Sequence, residues 1–218
     1  MFGNSLYKDK DKSYFDHSRK ELLKYVPEKI KKVLDVGCAS GNFGKMLKEF
    51  YDCEVWGVEP DTLSAGIAGT KIDHVINSFF GPDIKIHSVN KFDCIFFNDV
   101  LEHLPHPEEA LKLASNYLET NGCIVASIPN IRYYPVILSL LRYKDFKYSD
   151  AGVMDKTHLR FFTKKSIIRL FEDCNFKVET IEGINKHTYK YLEIANLLSF
   201  NNLEDMRYPQ FAVVATKI

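Results

Sequence analysis

The chain has 218 residues, with 29 Lys or Arg against 29 Asp or Glu, so its formal net charge is zero. That balance excludes nucleic acid or an anionic membrane as a partner held by overall charge, although it is compatible with a local basic patch. A hydrophobic content of 45% excludes a disordered chain, and the length fits one domain with a sizeable core.

In chain order, residues 1–18 are polar and charged with interspersed aromatics, and read as a flexible arm or lid. In SRKELLKYVP (18–27), Leu22, Leu23 and Val26 fall at helical spacing and Pro27 marks the end. KKVLDVG (31–37) reads as a buried strand, and NFGKMLKEFY (42–51) as a helix with Phe43, Met46, Leu47 and Phe50 on one face. CEVWGVEP (53–60) is a second strand ending in an acid. DTLSAGIAGT (61–70) is a helix weakened by two glycines. HVINS (74–78) is a short third strand and FDCIFFND (92–99) a fourth. PEEALKLASNYLE (107–119) is a helix with Pro107 and two glutamates in its first turn. GCIVASIP (122–129) is a fifth strand, and TKKSIIRLFEDC (163–174) a helix capped by Thr163. FKVETIEGI (176–184) and FAVVATKI (211–218) complete seven strands. Alternating strands and helices predict an α/β three-layer sandwich, Rossmann-like, with a mostly parallel sheet; the last strand, with no helix after it, is expected to insert antiparallel.

Two segments interrupt the alternation, 131–162 and 185–209. In a parallel sheet the ligand crevice lies beyond the carboxyl ends of the strands, so an insertion after the fifth strand overhangs it. The Tyr, Arg, Asp and His of 131–162 read as a substrate lid, with Arg132, Tyr133 and Arg160 as substrate-binding candidates. Its stretch RYYPVILSLLRYKDFKY reads either as a membrane- or glycan-facing surface or as a partly buried helix with basic edges. The five cysteines, Cys38, Cys53, Cys94, Cys123 and Cys174, show no C-x-x-C spacing and read as buried reduced thiols. With no apolar signal core at the start and no run approaching a span, the expectation is a soluble, cytoplasmic protein without stable membrane insertion.

The stretch VLDVGCASGNFG (33–44) runs from a strand into a glycine-rich turn. It does not give the dinucleotide pattern G-x-G-x-x-G; it gives Asp35-x-Gly37-x-Ala39-x-Gly41. Glu59, at the end of the second strand, fits a ribose diol, because a carboxylate accepts from both hydroxyls. Asp35 separates the ligands that carry a ribose. A carboxylate there repels a pyrophosphate, which argues against a nicotinamide-dependent oxidoreductase, and it suits an ammonium group. A nucleoside with an amino-acid tail and no phosphate fits, namely S-adenosylmethionine.

With VLDVGCASG, VWGVEPD, FDCIFFNDVLEHLPHP and NGCIVASIPN in order, the chain resembles the class I S-adenosylmethionine-dependent methyltransferases over most of its length. The resemblance implies a seven-stranded sheet with an antiparallel last strand. It implies cofactor contacts at Asp35, Gly37, Cys38, Ala39, Ser40, Gly41, Glu59, Pro60, Ser78, Asn98 and Asp99. SIPNIRYY (127–134), DAGVMDKTHLRFFT (150–163) and YFDHSRKELLKYVP resemble a bacterial subgroup associated with surface-glycan biosynthesis. Two departures stand out. Ala39 replaces the middle glycine of the turn, and HVINSFF lacks the acid often found beside the adenine, leaving Asn77, Ser78 or Phe79 to supply that contact.

The implied organisation is one methyltransferase domain over 1–218, with 1–30 as N-terminal arm and first helix and 131–162 as lid. The implied reaction is O-methylation of a sugar, sugar nucleotide or glycan precursor. Its alternatives are a small-molecule N- or O-methyltransferase of another pathway and a non-catalytic cofactor-binding module. The partner is a small-molecule or glycan acceptor and not nucleic acid; a homodimer stays open. A hydroxyl acceptor needs a base, and the candidates are His158, with Asp155 three residues before it to orient it, and His103 beside Glu102. Asp99-x-x-Glu102-His103 is a rival cluster that resembles the acid-x-x-Glu-His pattern of quinone-type O-methyltransferases that use magnesium; no metal is expected.

Overall fold

The computed structural model describes residues 19–87 and 91–218; the N-terminal arm of 1–18 lies outside them. The strands are β1 (Lys32–Val36), β2 (Glu54–Val58), β3 (His74–Ile76), β4 (Phe92–Asn98), β5 (Leu118–Pro129), β6 (Phe176–Ile184) and β7 (Gln210–Lys217). The helices are α1 (Asn42–Phe50), α2 (Thr62–Ala68), α3 (Pro107–Tyr117), α4 (Tyr134–Tyr143), α5 (Lys164–Glu172) and α6 (Lys190–Leu198). One sheet holds the strands in the order β3-β2-β1-β4-β5-β7-β6. The pairings from β3 through β5 are parallel, while β7 runs antiparallel to both β5 and β6. This is the Rossmann-like sandwich expected from the sequence, with the last strand inserted as expected.

Residue alternation along the strands builds two apolar layers, one on each face. Ile124, Ala126 and Ile128 of β5 join Leu34, Leu111, Ile167 and Phe171 on one side. Cys123 and Val125 join Val33, Phe43, Met46 and Leu47 on the other. Helix α1 is therefore fixed by the face carrying Phe43, Met46 and Leu47, while Phe50 at its end is exposed. Helix α5 begins with the expected Thr163 cap, completed by Ser166 as a reciprocal capping box.

Some local readings change. The segment expected as a helix over 18–27 is a 3-10 helix, Lys20–Tyr25, which buries Leu22. The two insertions are partly regular: the first contains α4, and the second contains α6 and a 3-10 turn, Glu204–Arg207. All five cysteines are free thiols. Among the described residues, no helix is long and apolar enough to cross a membrane.

Gly41 starts α1 at φ +76°, and a Cβ there would lie 2.9 Å from the Ala68 Cα on α2. Its role is thus to let two helices approach, not to open the crevice to a ligand. Gly41→Val combines a left-handed backbone with a clash against another backbone. The expected result is a loss of stability of about 2–4 kcal/mol, read as a lower midpoint in denaturant unfolding.

Candidate active site

The carboxyl ends of β1, β2 and β4 and the loop before α5 surround a cavity of about 1440 Å³. The glycine turn is tied to β2: the Gly37 and Cys38 N–H groups donate to the Val58 carbonyl at 2.8 and 3.1 Å. Gly37 has φ +71° and Ala39 φ +48°. A side chain in the left-handed region costs about 1 kcal/mol, so the alanine is strained where a glycine would not be. Glu59 is buried, and its carboxylate accepts from the Ala39 N–H and the Asp61 N–H, both at 2.9 Å. Burial raises its pKa against the opposing pull of those two donors. Asp35 is buried at the floor, and burial, with the neighbouring Glu59 charge, pushes it up to about 8.

Of the residues expected at the cofactor, Asp35, Gly37, Cys38, Ala39, Glu59, Pro60, Asn98 and Asp99 line the cavity. Three do not. Ser40 is buried at the turn, Gly41 faces α2, and the Ser78 hydroxyl donates to the Phe79 carbonyl at 3.1 Å. Asn77 is also turned away, its amide donating to the Glu59 carbonyl at 2.8 Å and to that of Pro60 at 3.1 Å. Phe79 and Phe80 instead form that wall. Among the described residues, both amide atoms of Asn98 are buried without a hydrogen-bond partner, so this side chain can offer a donor and an acceptor to a ligand.

Sequence reasoning missed Arg19 and Gln210. Arg19 pairs with Asp99 and reaches the Gln210 side chain at 3.1 Å, while Gln210 and Ser127 donate to Asp99 Oδ1 at 2.8 and 3.0 Å. Asp99 is thereby committed to the β5–β7 side, with φ +55°. It does not join Glu102 and His103 as the sequence spacing suggested.

His158 takes that place. One ligand atom each from Glu102, His103 and His158 lies within 4.8 Å of the others, and the two rings meet edge to face at 4.7 Å. The His158 Nδ1 lies 3.1 Å from the Val153 carbonyl, and the His103 Nδ1 lies 3.1 Å from the Thr157 carbonyl. A carbonyl only accepts, so each Nδ1 carries a proton, and in the neutral ring Nε2 is the nitrogen that can accept one. The orienting acceptor at the His158 Nδ1 is thus a carbonyl. Asp155 closes the turn instead, its Oδ1 accepting from the Thr157 N–H at 2.8 Å and hydroxyl at 2.7 Å. Among the described residues the fully buried Glu102 carboxylate oxygens have no hydrogen-bond partner of normal geometry, and Oε1 is 3.9 Å from the His158 Nε2. Burial pushes Glu102 up to about 8. This trio can act in proton transfer or as a carboxylate-and-imidazole ligand set.

The substrate-binding candidates lie elsewhere. Arg132 grips Asp205 with two bonds of 2.7 and 3.2 Å, the Tyr133 and Tyr189 hydroxyls share a 2.6 Å bond, and Arg160 donates to the Pro105 carbonyl. None of the three lines the cavity; the neighbours Leu104, Pro105, Val153 and Leu159 do. Arg132 and Tyr133 tie the first insertion to the second, and Arg160 ties it to the loop after β4.

The charge of the lining decides the ligand class. Asp35, Glu59, Asp61, Asp99, Glu102 and Asp155 face Arg19, which is the one Lys or Arg among the described lining residues. Asp35 and Glu102, both raised to about 8, are proton-bearing near neutral pH, and Asp99 is paired with Arg19. The lining therefore suits a sulfonium and an ammonium that draw the Asp35 proton off, and offers a pyrophosphate little beyond Arg19. The sequence matches the profile of the methyltransferase domain over residues 7–181. The chain belongs to that methyltransferase family. Its cofactor is S-adenosylmethionine, which displaces the nicotinamide alternative. The chain is similar to a ubiquinone biosynthesis O-methyltransferase of Vibrio atlanticus, with 24% identity over 175 residues, 75% of this chain and 72% of that protein. Its fold is similar to S-adenosylmethionine-dependent methyltransferases of Archaeoglobus fulgidus (TM-score 0.62, 22% identity, 90% and 91% of the two chains) and Aquifex aeolicus (0.63, 15%, 95% and 96%). That relative and a similar one of Coxiella burnetii (24% identity over 177 residues) carry names from quinone biosynthesis, so the surface-glycan resemblance has no support from them.

The buried acids give the methyltransferase a pH signature. An acid whose folded-state pKa is raised binds its proton more tightly when folded, so stability falls as pH rises from its unfolded value to its folded one. For Glu102 that window runs from 4.5 to about 8. Glu102→Gln removes the ionisation. Its melting temperature should fall less than that of the parent between pH 5 and pH 8.5, roughly the working range for such a comparison; thermal melts at both pH values check this.

Proposed function

We propose that this methyltransferase transfers a methyl group to a hydroxyl oxygen, with His158 as the base. The observation that carries the reading is the His158 ring, fixed at Nδ1 by the Val153 carbonyl in a residue that lines the cavity. When bound, S-adenosylmethionine supplies an activated carbon on a sulfonium, leaving the protein to align the acceptor and take its proton. Glu59 holds the ribose diol with the lone pairs its two backbone donors leave over. Asp35 and the unpartnered Asn98 amide oxygen receive the ammonium, and Arg19 the carboxylate. Phe79 and Phe80 cover the adenine.

The D-x-T-H-L-R-F-F-T tract supports a sugar, sugar nucleotide or glycan precursor as acceptor. A ring hydroxyl is the second reading. It is favoured by the aromatic group Phe146, Tyr148 and Phe161, whose Phe161 ring lies 6.4 Å from the ring of His158, and by the relatives' names. A phenol, with a pKa of about 10, also asks less of an imidazole base than an alcohol does. Methyl-transfer assays on a panel of sugar nucleotides and catechols choose between them.

His158→Ala should lower kcat by roughly 100- to 10,000-fold with cofactor affinity little changed, and the acid limb of the rate profile should disappear. His103→Ala, run in parallel, should show the smaller loss in kcat. Near-normal turnover with an unaltered profile in His158→Ala removes it as the base.

The transfer is further proposed to need no metal, because the sulfonium already makes the carbon electrophilic. Dialysis against a chelator should leave activity unchanged. A loss that magnesium or zinc restores reassigns Glu102, His103 and His158 as ligands.

A further inference from the structure

We propose that α4, the segment behind it and α6 form an interfacial docking surface for an anionic lipid bilayer. The inference stands apart from the methyl-transfer reading and does not rest on it. Helix α4 reads YPVILSLLRY, apolar around its circumference, and it contains no buried residue. A helix of that kind is ordinarily covered by protein or lipid. Ten residues give about 15 Å, half the hydrocarbon thickness, so it fits the plane of an interface and not a span.

Leu141 and Tyr143 are 73% and 67% exposed, and Phe146 and Tyr148 continue the apolar surface. Helix α6 adds Tyr191, Ile194 and Leu198, exposed at positions i, i+3 and i+7. The two helices begin against each other. The Tyr133 and Tyr189 hydroxyls are 2.6 Å apart, and the Tyr134 and Tyr189 rings are 4.9 Å apart. The exposed apolar residues of the two helices therefore extend from a shared junction, and they are more numerous than scattered surface hydrophobes.

Charge selects the occupant. Arg142, Lys144 and Lys147 are exposed beside the apolar residues with Asp145 as the intervening acid. No ion pair among the described residues engages these three cations. In a two-fold dimer the same patch would face itself, setting these cations against their copies. An anionic bilayer accepts both the side chains and the charge. With the whole chain neutral, this attraction is local and should be strongly salt-sensitive.

The test is co-sedimentation of the full chain with vesicles of phosphatidylglycerol and phosphatidylcholine, and of phosphatidylcholine alone, at low and high salt. Expected are binding to the anionic vesicles, weakening with salt, and a loss of about tenfold or more in the Leu141→Glu Leu198→Glu double variant. The Lys144→Glu Lys147→Glu variant should lose the preference for phosphatidylglycerol. Calorimetry with S-adenosylmethionine verifies that both variants are folded. Absence of vesicle binding, or equal binding by folded variants, overturns the proposal. Sedimentation velocity gives the rival outcome. A dimer that Leu141→Glu Leu198→Glu dissolves, with no vesicle binding, assigns the patch to a second copy.

Discussion

The crevice depends on where one carboxylate sends its hydrogen bonds. Glu59 leaves β2 and accepts from the backbone of the glycine turn at Ala39 and from its own turn at Asp61. With the Gly37 and Cys38 donors to Val58, it locks the two strand ends into one rigid edge. Parallel pairing of β1 with both β2 and β4 puts that edge beside Asn98 and Asp99. The His103 and His158 side is attached by the loop that Asp155 closes. A carboxylate with two backbone bonds is a poor choice for stability alone, because burial still raises its pKa. Its place makes sense as half of a site whose other half is a ligand.

The remaining acids follow the same logic. Asp35 and Glu102 are both buried and both pushed up to about 8. A cationic ligand beside Asp35 draws its proton off, so cofactor affinity and protonation are linked in that wall. Arg19 partly balances the lining from outside the sheet, since it arrives on the segment before β1 and anchors on Asp99 and Gln210. The site thus carries instability in its empty form, the usual cost of preorganised charge.

Much of the frame was legible in the residues. The strands β1, β4 and β5 are runs of apolar residues because both faces are covered, and Thr163 announced its helix by its own side chain. Glu59 is recognisable by its distance from the glycine turn. The misreadings share one cause, pairing between positions remote in sequence. Arg132, Tyr133 and Arg160 stand out by composition alone, yet their partners Asp205, Tyr189 and Pro105 come from other loops. Asp99 sits near Glu102 in sequence but is drawn off by Arg19 and Gln210, and His158 arrives from the far end of the insertion. Arg19 itself is one cation in a charged stretch, with nothing local to distinguish it. Helix α4 has no polar face to reveal its period, and α6 lacks a side-chain cap at Tyr189.

The place of β7 in the sheet has a consequence for how the protein is made. It is last among the strands in sequence, yet it lies between β5 and β6 and brings Gln210 to the cavity. During synthesis β6 has no sheet partner until residues up to Lys217 have left the ribosome. Until then β5 presents an open edge, and Asp99 lacks its Gln210 donor. Closure of the crevice consequently waits on a long-range pairing, and until β7 has emerged β6 is an unpaired strand that chaperones can recognise.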